Sequence, residues 1–250
     1  MNIEIPLVIP PFKGIAKKIE SMVRKAIYDY KMLENTNSLA VALSGGKDSL
    51  SLLYILNGIV GRGFNNIELS AIHIDGDFSC GSSISKNFLK KICNSLNIKF
   101  FSEEIKIGLD KLECYSCSRV RRKKIFDIAK THNINKIAFG HHMDDNIQTL
   151  LMNLFHKSEF AGMMPNITFT NFDNTAIIRP FIYVPEEMIL SFAKQNNFLK
   201  SVCRCPFGEN SNRKKIAKII NETEEFFPNL KTNLSKSALL YGSKKALELD

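Results

Sequence analysis

The stretch S-G-G-K-D-S at residues 44–49 constrains the fold of this chain more than any other. Five consecutive apolar residues, 39–43, precede it, a pattern typical of a strand buried on both faces in a parallel sheet. Apolar residues at helical spacing follow it between positions 50 and 56. A strand, a glycine turn and a helix present backbone N–H groups to an anion. The stretch therefore predicts a phosphate-binding loop.

The residue types of this loop suit a phosphate ligand. Gly45 and Gly46 let the backbone approach a phosphate without an intervening Cβ atom. Lys47 adds a flexible cation, and Ser44 and Ser49 add hydroxyl donors. An incidental glycine turn is the alternative, but the flanking strand and helix patterns argue against it.

Asp48 separates this loop from the common G-x-x-x-x-G-K-[ST] form, in which Ser or Thr follows the lysine. Val41 also occupies the place of the first glycine of that form. A carboxylate next to a phosphate site favours a bound metal ion. The stretch resembles the signature of the PP-loop ATP pyrophosphatases, which cleave ATP between its α and β phosphates and leave AMP on the substrate.

Positive charge is concentrated in two segments of the chain, whose net charge is +9. Residues 111–136 contain eight Lys and Arg against two acidic residues, and residues 200–218 contain six against one. A single basic helix is usually a solvated face. Two basic segments that each contain a cysteine pair favour a polyanionic partner such as nucleic acid.

The cysteine pairs are Cys114-x-x-Cys117 and Cys203-x-Cys205. Such spacings let two sulfurs share a metal or act as a redox dithiol. No apolar run reaches the ~20 residues that span a bilayer, and no signal peptide is recognisable. We therefore expect a cytoplasmic protein without a membrane partner, in which cysteines serve metal or sulfur chemistry rather than disulfides.

Polar residues also follow two other predicted strands, 68–74 and 136–140. The carboxyl ends of parallel strands meet at the sheet edge where nucleotides bind. The backbone near His73 is expected to meet an adenine there, although an ordinary strand-end histidine is an equal alternative. Asp144 and Asp145 either reach a nucleotide-bound Mg²⁺ or offset a helix dipole.

The periodicity predicts an α/β fold with five parallel strands in the order 3-2-1-4-5 and helices on both faces. An amphipathic helix is expected at 13–33, further helices at 82–97, 211–223 and 230–247, and a loop or short hairpin at 156–175. We divide the chain into an N-terminal helical extension, an ATP-binding α/β domain and a C-terminal helical region, at residues 1–36, 37–182 and 183–250.

Three motifs in this order resemble the tRNA 2-thiocytidine synthetase family: S-G-G-K-D-S at 44–49, C-x-x-C-S-R at 114–119 and G-H-H-x-D-D at 140–145. The resemblance runs from about residue 22 to residue 240. It implies a Rossmann-like fold of the adenine nucleotide alpha hydrolase type. It also implies an enzyme that adenylates a cytidine in the tRNA anticodon loop and replaces its 2-oxygen with sulfur.

The resemblance further implies a [4Fe-4S] cluster held by Cys114, Cys117 and one cysteine near the C-terminus. The family usually has a second C-x-x-C, whereas this chain has Cys203-Arg204-Cys205. Counting back from Arg213, which matches a basic residue of the family, places Cys205 at the ligand position. Cys203 remains open as the third ligand.

The roles that the resemblance implies for the other residues are as follows. Lys47, Asp48 and Asp145 are expected to be catalytic, with Asp48 and Asp145 serving Mg²⁺. ATP is expected to contact Ser44, Gly45, Gly46, Lys47, Asp48, Ser49, His73 and Gly140. The implied partners are tRNA and a sulfur donor such as a cysteine desulfurase, and a homodimer is left open.

Three alternatives remain at this point. The first is a PP-loop thiolase that acts on uridine, although such enzymes typically have zinc-binding cysteine pairs at both termini, which this chain lacks. The second is a ligase similar to lysidine synthetase, which has no need of the cysteines. The third is a non-catalytic RNA-binding protein with a structural zinc at Cys114, Cys117, Cys203 and Cys205.

Overall fold

The fold is built on a twisted sheet, seen here in a computed structural model that describes residues 5–6, 8–76, 86–105, 114–198 and 212–242. The strands within these residues are β1 (Ser38–Ala42), β2 (Glu68–Gly76), β3 (Lys99–Ile105), β4 (Lys136–Ala138), β5 (Asn166–Phe169) and β6 (Thr175–Ile178). The helices are α1 (Gly14–Asp29), α2 (Lys47–Ile59), α3 (Lys86–Ser95), α4 (Cys114–Thr131), α5 (Met143–Lys157), α6 (Glu186–Gln195), α7 (Asn212–Glu224) and α8 (Leu230–Tyr241).

The strand order is β3-β2-β1-β4-β6-β5. All neighbouring pairs except β5–β6 are parallel; Val41 of β1, for example, is aligned with Ala71 of β2 and Ala138 of β4. The predicted order 3-2-1-4-5 is confirmed, with β6 as its fifth strand. The five predicted parallel strands are present, and the described sheet has one strand more than was predicted.

The sixth strand is β5, which pairs antiparallel with β6 at the sheet edge. It lies inside the stretch 156–175, for which a loop or short hairpin was the expectation. A short 3-10 helix, Thr170–Phe172, turns the chain between the two strands. Strand β5 has only four residues, two of them polar, and an alternation this short is not enough to predict a strand from the sequence.

Helices cover both faces of the sheet. On one face α1, α2, α3 and α6 share a buried apolar core with β1, to which Ile19, Leu53 and Phe192 belong. On the other face α4 packs on β2, β4 and β6 through residues such as Phe126 and Ile177. The helix predicted at 13–33 therefore braces the sheet. The domain limits at residues 36 and 182 stay a prediction.

The C-terminal helices α7 and α8 pack on α5 rather than on the sheet. Ile147 of α5 forms a small buried cluster with Ile216 and Ile220 of α7. None of the helices in the described part of the chain is long and apolar enough to cross a membrane. The architecture thus places α5, α7 and α8 beside the carboxyl edge of the sheet.

Candidate nucleotide-binding and catalytic site

The loop between β1 and α2 is shaped by a glycine and two serines. Gly45 has φ +87°, a left-handed conformation that favours glycine. The Ser44 N–H donates to the Ser49 Oγ over 3.2 Å, and the Ser49 hydroxyl donates to the Gly46 carbonyl over 3.1 Å. These bonds fold the loop back on the first turn of α2. The serines therefore hold the loop as well as being candidate ligands.

The N-terminus of α2 is suited to an anion. Gly46 precedes the helix and has no side chain with which to cap its first N–H groups. A helix N-terminus also carries a partial positive charge. The predicted phosphate contacts Ser44, Gly45, Gly46, Lys47, Asp48 and Ser49 all lie in this loop and the first turn of α2.

Lys47 lies between two carboxylates. Its Nζ is 2.8 Å from the Asp48 Oδ1 and 2.9 Å from the Glu186 Oε1. Partial burial by itself lowers the pKa of Lys47, but the two carboxylates outweigh this effect and hold the pKa above its ordinary value. The lysine is therefore charged at neutral pH and can form an ion pair with a phosphate.

Gly140 brings the loop after β4 against the start of α2. A Cβ atom at Gly140 would lie 3.1 Å from the Asp48 carbonyl carbon and 3.2 Å from the Ser49 nitrogen. A larger residue would push the two segments apart. The absence of a side chain at this position lets the carboxylates after β4 lie close to the phosphate-binding loop.

The residues that follow Gly140 cap α5. His142 and Asp145 form a capping box, in which the His142 N–H donates to the Asp145 Oδ2 over 3.1 Å. The Asp145 Oδ1 is 2.8 Å from the Nη1 of Arg213 on α7. Burial by itself raises the pKa of Asp145, but His142, His141 and Arg213 outweigh it and lower the pKa. Both Asp145 oxygens are thus engaged within the protein.

Asp144 connects α5 to α6. Its Oδ2 accepts a hydrogen bond of 2.7 Å from the Glu186 N–H, at the first turn of α6. Nearby, the Met143 N–H donates to the Val184 carbonyl over 3.0 Å. A cavity of about 400 Å³ lies next to these residues, and Asp144, Glu186 and Lys231 are among those that line it. The site is therefore open on this side.

His73 lies in β2, three residues before its end and directly after the last residue of β2 that pairs with β1. Its Nδ1 is 2.8 Å from the Leu43 carbonyl oxygen, which can only accept, so the proton is on Nδ1. The ring is almost fully buried, and burial lowers the pKa of His73. His73 thus ties β2 to the start of the phosphate-binding loop.

Cys114 and Cys117 lie in the first turn of α4, three residues apart. Cys203 and Cys205 lie outside the described residues, so the choice of third ligand stays open. The described part of α4 reaches the same sheet edge, because the Nη1 of Arg121 donates to the Ile74 carbonyl over 3.2 Å. Among the described residues there is no group of three or more His, Cys, Asp or Glu that could hold a metal ion.

Two residues at this site were missed as site residues by the sequence analysis. Glu186 has the pattern of an acidic residue in the first turn of a helix after Pro185, and such residues usually offset only the dipole. Arg213 served there only as a reference for counting. Glu186 contacts Lys47, which is 139 residues away in sequence, and Arg213 contacts Asp145, which is 68 residues away. A local sequence pattern cannot predict such contacts.

The fold and this loop define a class of nucleotide-binding α/β proteins in which a glycine turn, a lysine and an aspartate stand at a helix N-terminus. The sequence model of a family described as a PP-loop domain matches residues 14–200, more than half of the chain. Known proteins with curated names match over a greater length.

The tRNA-cytidine(32) 2-sulfurtransferase 1 of Francisella philomiragia subsp. philomiragia is 33% identical over an alignment of 230 residues, and the match covers 88% of this chain and 88% of that protein. The tRNA-cytidine(32) 2-sulfurtransferase of Geotalea uraniireducens is 34% identical over an alignment of 227 residues, and the match covers 88% of this chain and 90% of that protein. The chain belongs to the PP-loop family and, within it, to the family of these tRNA sulfurtransferases.

A solved structure shares the fold. The U34-tRNA thiolase of Methanococcus maripaludis, determined with its [4Fe-4S] cluster, superposes with a TM-score of 0.73 and 22% sequence identity. The match covers 94% of this chain and 80% of that one. At this identity the likeness concerns the Rossmann-like fold alone, which the sequence had predicted.

The burial of His73 predicts a dependence of stability on pH. Because its pKa in the folded protein lies below that in the unfolded chain, acid favours unfolding, and stability falls as the pH drops below about 6.5. One such group changes the free energy of unfolding by at most about 1.4 kcal/mol per pH unit. Urea unfolding at several pH values between 5 and 8 measures the slope.

The matched variant is His73→Gln, whose amide keeps a donor for Leu43 but does not titrate. We expect a shallower loss of stability in acid for this variant than for the wild type. Equal slopes for the two proteins would show that His73 does not carry this dependence.

Proposed function

We propose that this protein uses ATP to adenylate the 2-oxygen of a cytidine in the tRNA anticodon loop and then replaces that oxygen with sulfur. The observation that carries the proposal is the position of Lys47 and Asp48. Both stand at the uncapped N-terminus of α2, and Asp48 lies against Gly140 in the loop before α5. The names of the relatives favour cytidine 32 of tRNA as the target.

The chemistry explains why ATP is needed. A pyrimidine carbonyl oxygen is a poor leaving group, so sulfur cannot displace it directly. Attack of the 2-oxygen on the α-phosphorus of ATP forms the adenylated base and releases pyrophosphate. Sulfide then adds to carbon 2; where a cysteine desulfurase supplies the sulfur as a persulfide, a thiol reductant must cleave the S–S bond and is oxidised to a disulfide. AMP leaves with the former carbonyl oxygen.

The loop residues would hold the triphosphate. The Lys47 ammonium, the hydroxyls of Ser44 and Ser49 and the backbone at Gly45 and Gly46 lie around one helix N-terminus, where negative charge is stabilised. The adenine would lie at the ends of β1 and β2, beside the backbone near His73, with Gly140 nearby. The Lys47 ammonium, the two serine hydroxyls and the backbone N–H groups would stabilise the negative charge that develops as pyrophosphate leaves.

Mg²⁺ fits this site as an ion carried by ATP. Mg²⁺ is usually bound by one or two carboxylates together with substrate phosphates and water. Asp48, next to Lys47, is the carboxylate best placed for it. Asp145 is the second carboxylate that we propose, and it would exchange a present partner, Arg213 or the His142 N–H, for the ion.

The cysteine set fits an iron-sulfur cluster by its donor chemistry, since thiolates are the usual cluster ligands. We propose Cys114 and Cys117 at the start of α4 and Cys205 as the third ligand, with Cys203 as the alternative. When bound, such a cluster would supply an iron atom at which the sulfide for the reaction could be held. The residues of the protein would position the base, the nucleotide and the cysteines that hold the cluster.

The tRNA would bind across the basic segments. Lys123 of α4 is exposed, as are Lys214 and Lys215 at the start of α7. Since Arg213 in the same turn contacts Asp145, the basic start of α7 lies next to the candidate site. Lysines placed this way bind the phosphate backbone without reading sequence, and the target base would be drawn out of its stack. A homodimer is compatible with this arrangement.

A uridine thiolase is the second candidate function, because the structural neighbour named above acts on U34 of tRNA. Incubation of the anaerobically purified protein with unmodified tRNA, ATP, Mg²⁺ and sulfide separates the two. Mass spectrometry of the digested tRNA is expected to detect 2-thiocytidine. Detection of 2-thiouridine in its place would favour the second candidate.

The first prediction from this proposal concerns Asp48. Asp48→Ala is expected to lower tRNA thiolation about 100-fold or more, because the carboxylate proposed to hold Mg²⁺ at the transferring phosphate is lost. Binding of tRNA, measured by filter retention, is expected to stay within about twofold, since the exposed lysines proposed to contact the tRNA phosphates are unchanged. Thiolation at the wild-type rate in this variant would contradict the proposal.

The second prediction concerns the cysteines. Iron and acid-labile sulfide are expected at about four each per chain, as in one [4Fe-4S] cluster. Cys114→Ala, Cys117→Ala and Cys205→Ala are expected to lose both. The control is Cys93→Ala, because Cys93 is buried in the core and burial raises the pKa of its thiol to about 12.

The outcome for Cys203→Ala decides the third ligand. If Cys203→Ala loses iron and Cys205→Ala retains it, Cys203 is the third ligand in place of Cys205. One zinc per chain with no iron in the wild type would contradict the cluster and support a structural zinc.

A further inference from the structure

Glu186 lies at the centre of the candidate site without an assigned role. The Lys47 ammonium has three N–H donors, and the described residues engage two of them, through Asp48 at 2.8 Å and Glu186 at 2.9 Å. Asp48 is the next residue in the chain. Glu186 comes from α6, 139 residues away in sequence. Within the part of the chain that the structure describes, the third donor has no partner and can reach a phosphate oxygen.

The position of Glu186 is fixed independently of Lys47. Its own N–H is held by the Asp144 Oδ2 at 2.7 Å. Behind it, Ile189 and Phe192 of α6 are buried in the core that α6 shares with α2. The backbone at Glu186 therefore cannot follow a movement of the lysine. The side chain of Glu186 acts as a fixed anchor for the ammonium.

Stability does not account for this ion pair. The Glu186 side chain is 45% exposed, and ion pairs this open to solvent contribute little to folding. A second carboxylate beside a triphosphate site would also repel the ligand. Its presence is explained if the orientation of Lys47 matters more to the reaction than the cost of this repulsion.

We propose that Glu186 is a positioning residue for Lys47 in the ATP-dependent step. Together with Asp48 it fixes two donors of the ammonium and thereby directs the third to the phosphates. Without Glu186, Lys47 pairs with Asp48 alone, and both groups are drawn away from the positions that the reaction needs. The inference rests on the proposed function in taking ATP and tRNA as the substrates.

The test uses Glu186→Ala and Glu186→Gln in the full chain, with Glu187→Ala as the matched control, because Glu187 is the exposed neighbour on the same helix. For Glu186→Ala we expect kcat for tRNA-dependent pyrophosphate release to fall about tenfold or more. The Kd for ATP should stay equal or decrease, since a negative charge is removed. Glu186→Gln, which keeps an acceptor oxygen, should recover most of the loss.

Three results would overturn the inference. They are an unchanged kcat in Glu186→Ala, a rise in the Kd for ATP that parallels the loss of kcat, and an equal loss in Glu187→Ala. A structural role alone would lower the unfolding temperature and weaken ATP binding together, and Glu186→Gln would not restore the rate.

A readout without tRNA separates this inference from the proposed function. Trace acylation with acetic anhydride, followed by mass spectrometry, reports how strongly its ion-pair partners shield the amine of Lys47 from the reagent. Because Glu186 is one of two such partners, Lys47 is expected to react several-fold faster in Glu186→Ala than in the wild type or in Glu187→Ala. If the wild type fails to thiolate tRNA, the proposed function fails, and equal acylation rates in all three proteins would overturn the role of Glu186.

Discussion

The close approach of the loop after β4 to the N-terminus of α2 is the constraint on which the site depends. It requires a residue without a side chain at Gly140, where a Cβ would meet the backbone of Asp48. The parallel order of β1 and β4 brings the two loops to one sheet edge. Glu186, which contacts both Asp144 and Lys47, also links the start of α5 to this loop. A phosphate-binding loop and an acidic loop thus become one site.

The C-terminal helices are attached to this site by ionic contacts. Arg213 of α7 contacts Asp145, and Lys231 of α8 lies 3.9 Å from Asp144. Glu186 of α6 contacts Lys47. Charged side chains thus connect the nucleotide loop to the helices that carry part of the basic surface. A polyanion that binds these helices would change the same ion pairs as a nucleotide that binds the loop.

The sequence predicted the parts of the fold and site that local patterns encode. Five apolar residues before a glycine turn indicated β1 and the phosphate-binding loop, because burial on both faces and left-handed backbone leave a local signature. Strand β5 was missed because four residues at a sheet edge depend on pairing with β6 more than on their own composition. The function class followed from the order of three motifs.

The contacts of Glu186 and Arg213 could not be predicted in this way. Each side chain is ordinary for its helix, and its role comes from a partner far away in sequence. The sequence also assigned Asp145 to Mg²⁺, whereas the structure shows its oxygens engaged by His142 and Arg213. Such engagement depends on the packing of α7 on α5, which no single segment of the sequence encodes.

The fate of the cytidine 2-oxygen tests the central claim most directly. A tRNA labelled with oxygen-18 at carbon 2 of the target cytidine is incubated with the protein, ATP, Mg²⁺ and sulfide, and the AMP is analysed by mass spectrometry. The account predicts that the label appears in AMP in step with 2-thiocytidine formation. Thiolation that releases the label to water or pyrophosphate, with none in AMP, would contradict activation by adenylation.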